Sequence, residues 1–179
     1  MPTLSERQDL VRGAAFVNSR YLTIAGRIRQ DVQDIQGVVE RVLNIWREGT
    51  DTATTHTYYV DATALNLHGF YAGVERLLEV IADGIEQTKP SGSDWHQALL
   101  QQLTSDIPGV RPAVLQPQTR EQLNRYRGFR HVVRNVYTFN LDPEQVGLLV
   151  KHLQPTMTLV SHDLLSFADF LERLASNSD

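Results

Sequence analysis

The sequence has no cysteine among its 179 residues. That excludes disulfides, thiol catalysis and cysteine-bound metal, and it fits a reducing cytoplasm. No apolar run approaches the roughly 18 residues that span a bilayer, so no membrane anchoring is expected. The first residues, MPTLSERQDLVRGAAFVNS, carry early acids and only a short apolar patch, a poor signal peptide. Strand periodicity is missing, as are internal repeats and low-complexity segments. There is no glycine-rich phosphate loop, no GxSxG, no HExxH and no GS…DxD pattern of a nucleotidyltransferase. The histidines at 56, 68, 96, 131, 152 and 162 include no pair at metal-ligand helical spacing, so neither a metal nor another cofactor is expected. Positive charge is also in deficit. A net charge of −4 excludes a general nucleic-acid coat protein, and any nucleic-acid contact must be local.

What remains is 41% hydrophobic and 21% charged residues, the ordinary composition of one soluble globular domain. Residues 1–18 are expected to be peripheral, with Ser5 placed to cap a short helix over Asp9–Val17 that Gly13 weakens. A long helix is expected from Tyr21 to Arg47, on Ile24, Ile28, Val32, Ile35, Val39 and Val42 with Leu22. The polar run DTATTHT reads as a loop, and Asp61 as the cap of a helix over Ala62–Gln87 whose apolar positions include Leu65, Leu67, Phe70, Val74 and Leu77. After the Lys89–Gly92 turn, Ser93 or Asp94 caps a short helix, Trp95–Leu103, with Trp95 and His96 read as packing plus a polar tip. Residues 107–119 carry three prolines and form an ordered connector. Thr119, with Gln122, caps the following helix. Asp142 caps the last one, with Pro143 at its first position, and it runs to about Ala175, kinked or broken at Pro155. Asp142, Glu144, Asp163, Asp169 and Glu172 read as solvated or capping charges. The sum is an all-α, antiparallel up-and-down bundle of four to five helices over residues 19–175, with a frayed tail at 176–179.

The stretch Arg125 to Tyr137, RYRGFRHVVRNVY, stands out. At about 100° per residue, Phe129, Val132, Val133 and Val136 share an apolar face, and Tyr126, Arg127, Arg130, Arg134 and Tyr137 form a stripe roughly opposite. His131 and Asn135 stack beside that stripe. Five of the 17 basic residues lie between Arg120 and Arg134, against Glu121 alone. Solubility would mix in lysine and glutamate; arginine without carboxylates points to a planar anion such as phosphate. A solvated basic face, or arginines paired with acids on neighbouring helices, accounts for the pattern equally well. His68, Tyr71 and Glu75 share a face of the earlier helix and are candidate supporting residues, although a histidine on a packed helix is usually a hydrogen-bonded core residue.

The stretches LNLHGFYAGVERLLEVIADGI, SDWHQALLQQ and YRGFRHVVRNVYTFNLDP resemble the HepT-like branch of the HEPN superfamily, over roughly Tyr21 to Leu174. The resemblance implies a helical bundle that forms a homodimer, and a toxin encoded beside an MNT-type nucleotidyltransferase antitoxin. The implied activity is that of a metal-independent endoribonuclease. Its motif is an arginine, four to six residues, a histidine, one residue and a tyrosine, and two copies meet across a dimer cleft. In some systems the antitoxin transfers AMP to the motif tyrosine. Related bundles have been described as substrate-binding subunits of nucleotidyltransferases.

Carried onto this chain, the pattern gives Arg130, Asn135 and Tyr137, so asparagine stands where the family has histidine. An amide binds a phosphate or a ribose hydroxyl but does not relay a proton at neutral pH. A second frame runs from Arg125 to His131 but meets Val133 instead of tyrosine. The resemblance therefore implies either a ribonuclease or a non-catalytic subunit that binds partner, nucleotide or RNA. In the ribonuclease, His131 is the base or acid and Arg130 the phosphate clamp, with Arg134, Arg127 and Arg125 as RNA-binding arginines. Asn135 would position the ribose, and Tyr137 would be a phosphate donor or AMP acceptor. A plain helical dimer with a basic protein interface is a third reading.

Overall fold

The computed structural model describes the backbone of residues 4–50, 56–135 and 141–177, and the side chains of 17–49, 57–130 and 141–177. Five helices follow one another: α1 (Leu4–Thr50), α2 (His56–Ile81), α3 (Trp95–Thr104), α4 (Pro117–Asn135) and α5 (Pro143–Ser176). No strand occurs among the described residues; an isolated bridge joins Ile107 to Arg111. The fold is an all-α bundle. No helix among the described residues is long and apolar enough to cross a membrane.

The apolar spacing builds the core. Ile24, Ile28, Val32, Ile35, Val39 and Val42 bury one stripe of α1. Leu67, Phe70, Val74, Leu77 and Ile81 do the same on α2, and Val146, Leu153, Met157, Val160, Leu164 and Leu171 on α5. Helix α1 packs most extensively on α5 and α2, while α4 lies against α2 and α5 and α3 bridges α2 and α4. Arg29 bonds Asp169 and Glu172 late in α5, and Trp46 lies over Gly147 early in α5, so α1 and α5 run antiparallel. Gly49 under Tyr59 and Ile24 against Gly84 make α1 and α2 antiparallel as well. These close approaches explain the glycines: a Cβ on Gly49 would sit 2.4 Å from Tyr59 Cβ.

Several boundaries differ from the sequence reading. Helix α1 is continuous from Leu4, so Gly13 neither ends it nor separates a short helix. Helix α2 starts at His56, inside the expected loop, and Asp61 lies within it. It closes in a π-helical turn, Ala82–Glu86, that ends at left-handed Gln87 (φ 54°). Asp94 occupies the N-cap of α3 without a side-chain capping bond. Pro155 lies inside α5, which runs through it unbroken. Asp142 caps α5 as expected, accepting from Glu144 N at 2.9 Å with Pro143 behind it. Leu22 and Leu65 were expected on apolar stripes and are 51% and 65% exposed.

The start of α4 corrects two assignments at once. Thr119 lies inside the helix and donates to Asp163 Oδ2 at 2.6 Å, and the same oxygen accepts from Gln116 N at 2.8 Å. Asp163 is buried on α5 rather than solvated, and its charge sits at the positive end of α4. A tertiary carboxylate thus does what a local capping box would do.

The 105–116 connector is ordered around buried Arg111. This guanidinium meets Glu86 and donates to the carbonyls of Gln102, Ser105 and Pro112. Nearly every donor of a fully enclosed arginine is satisfied, which is the condition for burying one.

Candidate functional site

Helix α4 carries two of its arginines onto its neighbours, Arg120 to Gln101 on α3 and Arg130 to α2 and α3. Tyr126 belongs to the core and not to the arginine stripe: it is buried, edge-on to Phe70 with ring centroids 5.1 Å apart, and its hydroxyl donates to Leu149 O at 2.9 Å. It lies three residues before buried Phe129, on the same helical face. Burial pushes its hydroxyl up to about 12. Arg125 is exposed, and Arg127 is half-buried with Nε donating to Asn124 Oδ1 at 3.0 Å.

Arg130 turns inward, where three helices meet. Its Nη2 lies 3.4 Å from Glu75 Oε2 on α2. Its Nη1 lies 2.7 Å from His96 Nε2 and 3.2 Å from His96 Nδ1 on α3. Being near both ring nitrogens places the guanidinium against the imidazole, since an in-line bond to one nitrogen would leave the other much farther away. His96 Nδ1 donates to Glu75 Oε1 at 2.5 Å. Glu75 is almost fully enclosed (side chain 5% exposed), and His96 and Arg130 keep 20% and 17%. A buried carboxylate therefore fixes the orientation of an imidazole that still reaches the surface, with an arginine laid over it. Trp95 stacks beside that ring, centroids 3.7 Å apart.

Two donors at this junction are poorly satisfied. Arg130 Nε is buried with no hydrogen-bond partner among the described residues, and buried Tyr71 Oη has only a weak interaction with the Glu75 carboxylate. Burial, with the Glu75 carboxylate, pushes the Tyr71 hydroxyl upward against the pull of Arg127 and Arg130, so Tyr71 remains a protonated donor at neutral pH. Each such group costs about 1–3 kcal/mol when left unmade.

Of the residues singled out by sequence, the structure gathers Arg130, Glu75 and Tyr71, with Arg127 close enough to act electrostatically on Tyr71. His68 is half-buried one turn before Tyr71. His131, Arg134 and Asn135 continue α4 as backbone, and their side chains lie outside the described residues, as does the whole of Tyr137. Arg130 does not lack a carboxylate: the acid comes from α2, 55 positions earlier in the chain. His96 is the functional candidate the sequence reading missed. Its partner, Glu75, lies 21 residues away on another helix, and no spacing rule links them. Among the described residues no cluster of three or more histidines and acids is placed to hold a metal ion.

No curated protein and no solved structure gives a significant match to this chain. A family model for HepT-like proteins matches residues 62–171, which takes in most of α2, all of α3 and α4 and most of α5 and includes Glu75, His96 and Arg130. That match covers more than half of the chain, and the protein belongs to the HepT-like family.

Proposed function

We propose that this HepT-like protein is a toxin-type endoribonuclease that needs no metal and is restrained by an MNT-type nucleotidyltransferase antitoxin in the cytoplasm. The observation that carries the reading is the fixed position of Arg130. It is held at a partly enclosed junction beside an oriented imidazole, not spread into solvent. Such a guanidinium stabilises charge that builds on phosphoryl oxygens. In this reading the ribose 2′-hydroxyl loses its proton to a base and attacks its own phosphate, leaving a 2′,3′-cyclic end. His131 serves as base or acid, Asn135 positions the ribose, and Arg125, Arg127 and Arg134 hold the RNA backbone. Residues 19–175 form the working unit, and a homodimer would double the arginines in one groove.

The competing reading is a non-catalytic subunit that binds nucleotide or its nucleotidyltransferase partner. Asn135 in the motif, and Glu75 already engaging Arg130, favour it. RNA cleavage by the purified chain in EDTA separates the two. Cutting that persists in EDTA and disappears in the Arg130→Ala/His131→Ala double variant supports the nuclease. Intact RNA, with Tyr137 unmodified by mass and no partner present, makes this a binding subunit. AMP attachment predicts a mass gain on the Tyr137 peptide when partner and ATP are supplied.

A further inference from the structure

The nuclease reading needs both a base and an acid, His131 serves as only one of them, and the amide of Asn135 relays no proton. Three features converge on a group that fills the other role. His96 is held by Glu75 through Nδ1, the arrangement in which a carboxylate sets the orientation and tautomer of an imidazole. The nitrogen left over, Nε2, lies 2.7 Å from Arg130 Nη1, the guanidinium assigned to the phosphate. Arg130 Nε is a buried donor without a partner among the described residues, and the Tyr71 hydroxyl is held only weakly by Glu75 at this same junction, so both have donors to offer an acceptor-rich ligand.

We infer that His96 is a catalytic residue of this site, the proton acceptor from the ribose 2′-hydroxyl, with Glu75 as its positioning residue. The inference rests on the nuclease reading. When a phosphodiester enters, its oxygens take Arg130 off the imidazole face, which exposes Nε2 beside the phosphate. The 2′-oxygen then bonds to phosphorus while its proton passes to Nε2. The bond from phosphorus to the 5′-oxygen breaks, and that oxygen leaves with a proton from His131, which takes the acid role of the nuclease reading. The products are a 2′,3′-cyclic phosphate and a free 5′-hydroxyl, and later proton exchange with solvent restores both histidines.

The test compares the full-length wild type with His96→Ala and His96→Asn, in EDTA and without partner, on an unstructured RNA. Asparagine keeps an N–H donor for Glu75 but has no counterpart of Nε2. Both variants should lose about 10²–10⁴-fold in kcat, the range of a general base, with KM for RNA within about threefold. Added imidazole should restore part of the rate to His96→Ala, which has room for it. A structural role predicts instead that His96→Asn cuts like the wild type. Either variant cutting within threefold of the wild type overturns the inference and leaves the nuclease reading standing. So does a loss that appears equally in RNA binding and that imidazole does not reverse. A wild type that cuts no RNA overturns the nuclease reading itself and this inference with it.

Discussion

Tyr71 puts stability and ligand binding in opposition at one atom. Its hydroxyl is enclosed and makes no well-formed hydrogen bond, only a weak one toward the Glu75 carboxylate, so Tyr71→Phe removes a desolvated donor at little cost in hydrogen bonding. The variant should be more stable than the wild type by about 1 kcal/mol in urea unfolding at neutral pH, and it should bind RNA more weakly. A destabilised variant would mean that the hydroxyl is satisfied in the free protein. The same residue sets a pH dependence. Its ionisation is raised in the fold by burial, while the unfolded chain ionises near the ordinary tyrosine value of about 10. Above that pH the unfolded state releases a proton that the folded state keeps, so stability falls as pH rises. Tyr126 adds to this loss between the ordinary tyrosine value and about 12. Tyr71→Phe should therefore flatten the alkaline side of the stability profile, and an unchanged slope would remove Tyr71 from that account. Arg111 behaves in the opposite way, because its side chain and that of Glu86 are 0% and 8% exposed. Arg111→Met strands Glu86 in the interior and should cost about 3–5 kcal/mol, read as a fall in the urea midpoint.

Helix α5 tolerates a proline in its interior, and the core explains why. Val150, Leu153, Met157 and Val160 are buried on either side of Pro155, and their packing keeps the helix continuous through a missing backbone bond. Pro155 itself is exposed, so Pro155→Ala regains the bond to Lys151 O without disturbing a neighbour and should stabilise by about 1–3 kcal/mol. A lower melting temperature would show that the proline geometry is needed for the fit to α1. The two sorts of glycine in α1 predict opposite signs. Gly37 has nothing within 4 Å of a built Cβ, and alanine there should add roughly 0.5–1 kcal/mol. At Gly49 the same change drives a methyl into Tyr59 and should cost about 1–3 kcal/mol. Helix identity was legible because i, i+3 and i+4 spacing records burial directly, as Ile24 to Val42 illustrate. Helix ends were less so. The sequence reading sought local caps at Asp61 and Thr119, whereas α4 begins on a carboxylate supplied by α5, a contact across 44 positions. Pro155 leaves α5 unbroken for the same reason: packing outweighed local propensity.

At the scale of the molecule, the candidate site was half legible. The clustering of arginines on one helix pointed to α4. Asn135 marked the departure from the family motif. The acid and imidazole that complete the junction come from α2 and α3, and only the assembled bundle brings Glu75, His96 and Arg130 into contact. The charge distribution yields the last prediction. The chain as a whole is acidic, at −4, so a polyanion is repelled except where α4 concentrates its arginines. RNA affinity should then fall with salt according to the few phosphates neutralised there. Three arginines with described side chains, Arg125, Arg127 and Arg130, give a slope of log K against log salt of roughly −2 per chain at about −0.7 per single-strand contact. Arg125→Gln is the clean probe, because Arg125 is exposed and its loss disturbs no packing. It should flatten the slope by about 0.7 and weaken all RNA sequences alike. Arg41→Gln, an equal charge loss at an exposed position on α1, should leave the slope unchanged. Equal effects from the two variants would mean that RNA feels only the net charge. The stripe on α4 would then be a protein interface, and a change of oligomeric state in Arg125→Gln, measured by sedimentation, would identify it as the surface between two copies.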